Sequence, residues 1–155
     1  MSRHPPNAAG LAARYPGAVA VGSVRDAVHD ADMVCCCTDA PEAVIDDGWI
    51  AGGAFVSSVG SGPELPPGLL ARSRVFVESR SATLPPPAGA AEPQGYDPAS
   101  LVELGAVLSG RAASRGNDDD TTVFKSTGHA VEDVAAAALV VAAAKSTGAG
   151  VRVEI

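Results

Sequence analysis

Short unbroken apolar runs alternate in this chain with segments whose apolar residues recur every three or four positions. Met33 to Cys37 is apolar throughout, without alternation, as in a strand covered on both faces of a parallel sheet. Ala18 to Val21, Ala54 to Val59, Val75 to Val77 and Thr122 to Lys125 read as further strands. Helical spacing falls between them. Asn7 to Tyr15 follows Pro5-Pro6, places Leu11 on its buried side and stops at Pro16-Gly17. Ser23 is set to N-cap a helix carrying Val24, Ala27 and Val28 ahead of Asp30. Leu65 to Ala71 reads as a helical turn, and Ser100 to Leu108 as a helix with Leu101, Leu104 and Leu108 on one face. Strand and helix signals joined by short loops predict βαβ units.

The last helix has the clearest period, with Val131, Val134, Ala135, Ala138, Leu139 and Ala142 on one stripe. Glu132 and Asp133 suit its positive end, Lys145 its negative end, and Gly148 its stop. Its second face is also nearly apolar, so it is expected to be buried in a larger body or against a partner. The segment from Pro85 to Pro93 can build neither helix nor ladder and reads as an exposed loop or local disorder.

A chain of 155 residues suffices for one domain with a real core. Its net charge of -7 and lack of a basic cluster argue against nucleic acid as a partner. Cys35, Cys36 and Cys37 are consecutive, so they alternate across a strand and cannot readily pair with one another. Without zinc spacing they read as small hydrophobes in a reducing compartment. No apolar run reaches the ~20 residues of a membrane span, and no signal region opens the chain, so a cytoplasmic location without a membrane partner is expected. His4, His29 and His129 share no ligand spacing, and Asp118 to Asp120 reads as a solvated loop, so no metal is expected.

Parallel sheets bind ligands beyond the carboxyl ends of their strands. Four places qualify: Ser2-Arg3, Thr38-Asp39, Val59-Gly60-Ser61 and Ser126-Thr127-Gly128. Thr38 and Ser126 offer hydroxyls, and Val59 and Gly60 offer backbone that a flat ring could approach. The alternative is that all are ordinary turn residues. Gly60-Ser61-Gly62-Pro63-Glu64-Leu65 begins like a dinucleotide fingerprint, but leucine replaces the third glycine and a proline intervenes, so a phosphate cradle is rejected.

Several motifs in one order go further: Asp32 to Thr38 with Glu42, Gly48-Trp49-Ile50, Val56 to Ser61, Arg74 to Arg80, Leu101 to Arg111 and Thr121 to Ala137. Together they resemble the ornithine cyclodeaminase/mu-crystallin family over essentially the whole chain. The resemblance implies an α/β fold: a partial Rossmann-like, doubly wound parallel sheet lacking the first strand and its glycine-rich turn. It divides the chain into a partial dinucleotide-binding domain (1–128) and a C-terminal helix and tail (129–155) expected to pack on an absent substrate and dimerisation domain.

By position, the resemblance places Ser2 and Arg3 at the adenosine ribose, where an arginine without a carboxylate favours NADP over NAD. It places Thr38 beside the cofactor, and Val59 and Ser126 at the nicotinamide. The family's catalytic aspartate falls on Ala90, with Glu92 the nearest carboxylate that could take its place; the catalytic residues are therefore unassigned. The implied activity is NAD(P)-dependent conversion of ornithine to proline with ammonia release, or a related imine reductase or alanine dehydrogenase reaction on an amino or imino acid. A homodimer is implied for a full-length protein. The alternatives are a catalytically inactive fragment or a mu-crystallin-like NADP-binding protein.

Overall fold

A computed structural model describes residues 1–38, 40–84 and 89–153. In chain order the elements are α1 (Pro5–Ala12), α2 (Val24–Val28), β1 (Met33–Cys36), β2 (Phe55–Val59), α3 (Pro67–Arg72), β3 (Arg74–Val77), α4 (Arg80–Thr83), β4 (Val102–Glu103), α5 (Leu104–Leu108), β5 (Thr122–Ser126) and α6 (Ala130–Thr147). The strands form one parallel sheet in the order β1-β2-β5-β3-β4. The last strand in sequence thus sits at the centre, with Val123 paired to Val56 on one side and Val75 on the other.

Central strands are covered on both faces, so Val56, Val77 and Val123 are fully buried. β1 differs. Val34 and Cys36 face the core while Met33 is 66% exposed and Cys35 is open; the apolar run predicts two covered faces and the structure covers one. Among the described residues β1 pairs only with β2.

Local chemistry explains most helix boundaries. Pro5 and Pro6 open α1, where a missing N–H costs nothing. Ser23 Oγ accepts the Asp26 N–H at 3.0 Å and caps α2 as predicted. α3 starts on Pro67 and buries Leu69 and Leu70. Its Arg72 then ties it down, donating to Asp47 Oδ1 at 2.7 Å, Thr121 Oγ1 at 3.0 Å and the Ile50 carbonyl at 3.1 Å. Gly148 ends α6 in the left-handed region with φ 69°.

Four further expectations are corrected. Ala18 to Val21 forms no strand, since no neighbouring strand pairs with it and Val19 stands in solvent. Leu11 is 58% exposed, and α1 buries none of its residues. The single helix expected over Ser100 to Leu108 is a 3-10 turn at Pro98–Ser100, then β4, then α5. Asp97 caps that turn, accepting from Ala99 N at 2.9 Å, and Val102 and Glu103 join the ladder beside Phe76 and Val77. Leu101 is buried while Leu108 is exposed. Finally, of the proline-rich segment, Pro85 to Ala88 lie outside the described residues, but Ala90 and Pro93 are fully buried rather than exposed.

α6 buries none of its residues. Among the described residues nothing covers its apolar surface. No helix among the described residues is long and apolar enough to cross a membrane.

Gly53 is required by two independent constraints. Its φ is 79°, and an added Cβ would overlap the Asp118 carbonyl oxygen. The loop is held there by Gly53 N–H to Asp119 O at 3.0 Å and Arg115 Nη2 to Gly53 O at 2.6 Å. Gly53→Ala is expected to destabilise the fold by about 2–4 kcal/mol, combining left-handed strain with displacement of that loop. A urea midpoint equal to that of the parent would contradict it.

Candidate functional site

The register aligns the carboxyl ends of three neighbouring strands. Cys36 pairs with Ser58, and Val59 with Ser126. The residues that follow, Thr38, Gly60-Ser61 and Thr127-Gly128, therefore lie along one edge, spanning two strand spacings or about 10 Å. Sequence reasoning singled out five residues. Ser2, Arg3 and Thr38 line a common cleft of about 740 Å³ that runs beside β1. Val59 and Ser126 are not in that cleft but adjoin each other farther along the edge, Val59 being 41% exposed and Ser126 buried. The structure brings Ser2, Arg3 and Thr38 together in one cleft and Val59 beside Ser126 outside it, so the five are not gathered around a common cleft. Asp39 lies outside the described residues.

A buried polar network underlies this edge. Glu64, fully buried, accepts from the Thr38 N–H and hydroxyl, both at 2.5 Å, and from the Ser58 hydroxyl at 2.6 Å. Ser58 Oγ in turn accepts from Lys125 Nζ at 2.9 Å. Lys125 is also fully buried. Its ammonium reaches the Gly62 carbonyl at 3.1 Å and lies 2.9 Å from each carboxylate oxygen of Glu92. Burial works against ionising Glu64, but the hydrogen bonds from Ser58 and Thr38 and the charge of Lys125 outweigh it, holding the carboxyl below its ordinary value. The network joins β1, β2, β5 and the segment after α4, so it sets the spacing of the strand ends.

A second carboxylate serves the last turn. Glu78, just beyond β3, accepts from the Ser126 hydroxyl, from Thr127 N–H at 3.2 Å and from Gly128 N–H at 3.3 Å. Gly128 N–H also lies 3.3 Å from Ser126 Oγ. Gly62 is packed against the Ala40 carbonyl, which an added Cβ would meet at 2.5 Å. The Gly60 to Leu65 segment thus serves packing and the Glu64 network.

Glu92 does not reach the open edge, since its side chain is 2% exposed and paired with Lys125. Ala90, at the aspartate's place, is fully buried and donates its N–H to the Thr83 carbonyl. Sequence reading missed Glu64, Glu78 and Lys125. Lys125 carried a usable signal, being a charge inside an otherwise uncharged strand; the two glutamates sit in turns, where carboxylates are commonplace.

The cysteines divide by environment. Cys35 and Cys37 are exposed and free, whereas burial, then the charge of Glu64 and the neighbouring thiols, push Cys36 up to about 12 against a smaller opposing effect of Lys125. Iodoacetamide at pH 8 is expected to label Cys35 and Cys37 promptly and Cys36 at least ~100-fold more slowly, until urea unfolds the chain. Equal labelling by peptide mass mapping would refute the burial.

The matches to known proteins agree with this architecture. The family model described as the ornithine cyclodeaminase/mu-crystallin family matches residues 7–148. The ketimine reductase mu-crystallin of Mus musculus is 38% identical over 139 residues, covering 86% of this chain and 43% of that protein. The structure of Thermococcus litoralis Delta(1)-pyrroline-2-carboxylate reductase in complex with NADH and L-proline superposes with TM-score 0.75 at 29% identity, covering 86% of this chain and 44% of that one. That of a probable ornithine cyclodeaminase from Bordetella pertussis gives TM-score 0.79 at 30% identity, covering 96% and 50%. The chain thus spans about half the length of the relatives it matches. It belongs to the ornithine cyclodeaminase/mu-crystallin family.

Proposed function

We propose that this chain is the NAD(P)-binding portion of an imine reductase acting on small cyclic or α-imino acids. The residues present suit the two ends of a dinucleotide. Ser2, Arg3 and Thr38 line a cleft within the ~300–1,000 Å³ usual for small-molecule sites, and Val59 with Ser126 offers a flat, partly open strand end. When bound, a reduced nicotinamide supplies the hydride for the imine carbon, and a proton goes to the nitrogen to give the amine. The protein's share is to hold the ring at the β2–β5 end and the adenosine ribose at Ser2-Arg3.

The observation that carries the reductase reading is the state of the aspartate position. Ala90 is buried there, and Glu92, the nearest carboxylate in sequence, is sequestered by Lys125. A cyclodeaminase that uses that aspartate would lack it here, whereas hydride transfer to an already formed imine dispenses with ammonia elimination. The names of the mouse and Thermococcus relatives point the same way.

The test compares NADPH oxidation with Δ1-pyrroline-2-carboxylate against ammonia release from ornithine with NAD⁺. In a full-length protein that carries the substrate domain, turnover of the imine without ornithine deamination is expected; deamination would overturn the assignment. NADPH binding without either turnover would favour a cofactor-binding protein, the reading that the same missing aspartate also supports. If Arg3 meets a 2′-phosphate, Arg3→Ala is expected to weaken NADPH by about tenfold and NADH by less than twofold. Equal losses for the two would remove the NADP preference.

A further inference from the structure

A turn of Ser126, Thr127 and Gly128 between a parallel strand and an 18-residue helix is the kind of place where phosphates settle on backbone N–H groups. Here the negative group is already present and belongs to the protein. The Glu78 carboxylate accepts hydrogen bonds from the Ser126 hydroxyl and from the N–H groups of Thr127 and Gly128. A serine hydroxyl has one proton and two lone pairs. With its O–H donated in the hydrogen bond to Glu78 and one lone pair facing Gly128 N–H, what Ser126 has left for a ligand is an acceptor. Thr38 repeats the arrangement: its hydroxyl donates to Glu64 and accepts from Ala40 N–H at 3.3 Å.

We propose that Glu78 is a specificity residue: it fills the anion-accepting turn and sets Ser126 as an acceptor, so this end of the site takes an uncharged amide N–H2 and excludes phosphate. The amide is the carboxamide of a nicotinamide ring, which rests on the cofactor reading above; the exclusion of phosphate does not. Glu78 therefore orients the dinucleotide, because its phosphates are turned away from the β5 end and its one neutral amide is accepted there.

The test uses the 155-residue chain, its Glu78→Ala and Glu78→Gln variants, and two probes. Inorganic phosphate is expected to shift the Thr127 and Gly128 amide NMR signals in Glu78→Ala and not in the parent. NADH is expected to bind the parent about five- to tenfold better than its 3-acetylpyridine analogue, which keeps the carbonyl but has no N–H2, the difference of one hydrogen bond. In Glu78→Ala that preference falls below about twofold. A folded Glu78→Ala that ignores phosphate, a parent that binds it at this turn, or an unchanged preference overturns the proposal. Should Glu78→Ala not fold, Glu78→Gln decides in its place: with the carboxylate charge gone, inorganic phosphate is expected to shift the Thr127 and Gly128 amide signals, and a folded Glu78→Gln that ignores phosphate overturns the proposal. A parent that binds neither dinucleotide refutes the cofactor reading, while the phosphate arm still judges Glu78.

Discussion

Replacing Lys125 by methionine is expected to cost the fold about 3–5 kcal/mol, the penalty for leaving a buried charge without its counter-ion. The ammonium is fully buried and holds three groups at once: Ser58, the Gly62 carbonyl and Glu92. Without it, the Glu92 carboxylate keeps, among the described residues, the Leu65 N–H at 3.3 Å. Against a total stability on the order of 5–15 kcal/mol, this loss alone could unfold a marginal chain. Removing both charges, in Lys125→Met with Glu92→Leu, is expected to recover a substantial part, because two apolar side chains need no pairing. Urea unfolding of parent, single and double variants measures this. A double variant less stable than Lys125→Met would mean that the ion pair is not what makes the single change costly.

Glu64→Gln is expected to cost about 2–4 kcal/mol at neutral pH and to alter the acid limb of the stability profile. Among the described residues the carboxylate accepts from the Thr38 N–H and hydroxyl and from the Ser58 hydroxyl, which an amide cannot all satisfy. Because its folded pKa lies below the ordinary value of 4.5, the unfolded chain binds the proton more readily. Its contribution is therefore complete above the ordinary value and lost as pH falls through the lower, folded one. The stability gap between parent and Glu64→Gln should thus be constant near neutrality and narrow below about pH 4.5. Profiles that stay parallel down to acid unfolding would show that Glu64 is not the group responsible.

The candidate site was legible in part. Position after a strand is a local property, and the strands at Met33–Cys37, Ala54–Val59 and Thr122–Lys125 are marked by their apolar runs, so Thr38, Val59 and Ser126 are placed at strand ends by sequence alone. What groups them is strand order. β5 inserts between β2 and β3 across more than 40 residues of sequence, which brings Val59 beside Ser126 and leaves Ser2, Arg3 and Thr38 by the open side of β1. Glu64, Glu78 and Glu92 look alike on paper. One polarises Thr38 and Ser58, one fills the Ser126 turn, and one neutralises Lys125.

The amino-acid order alone carried the α/β class, the strands at the sheet's centre, the Ser23 cap, the Gly148 stop and the family. Each of these depends on neighbours within a few positions or on a motif read in line. Only the tertiary structure decided that Ala18–Val21 stays unpaired, that one face of β1 is bare, that Ala90 and Pro93 are buried, and which carboxylate meets which donor. Burial and hydrogen-bond partnership belong to pairs of segments. A residue's own chemistry states what it can bond to, and the sheet's order, set by contacts far apart in sequence, determines what it finds there.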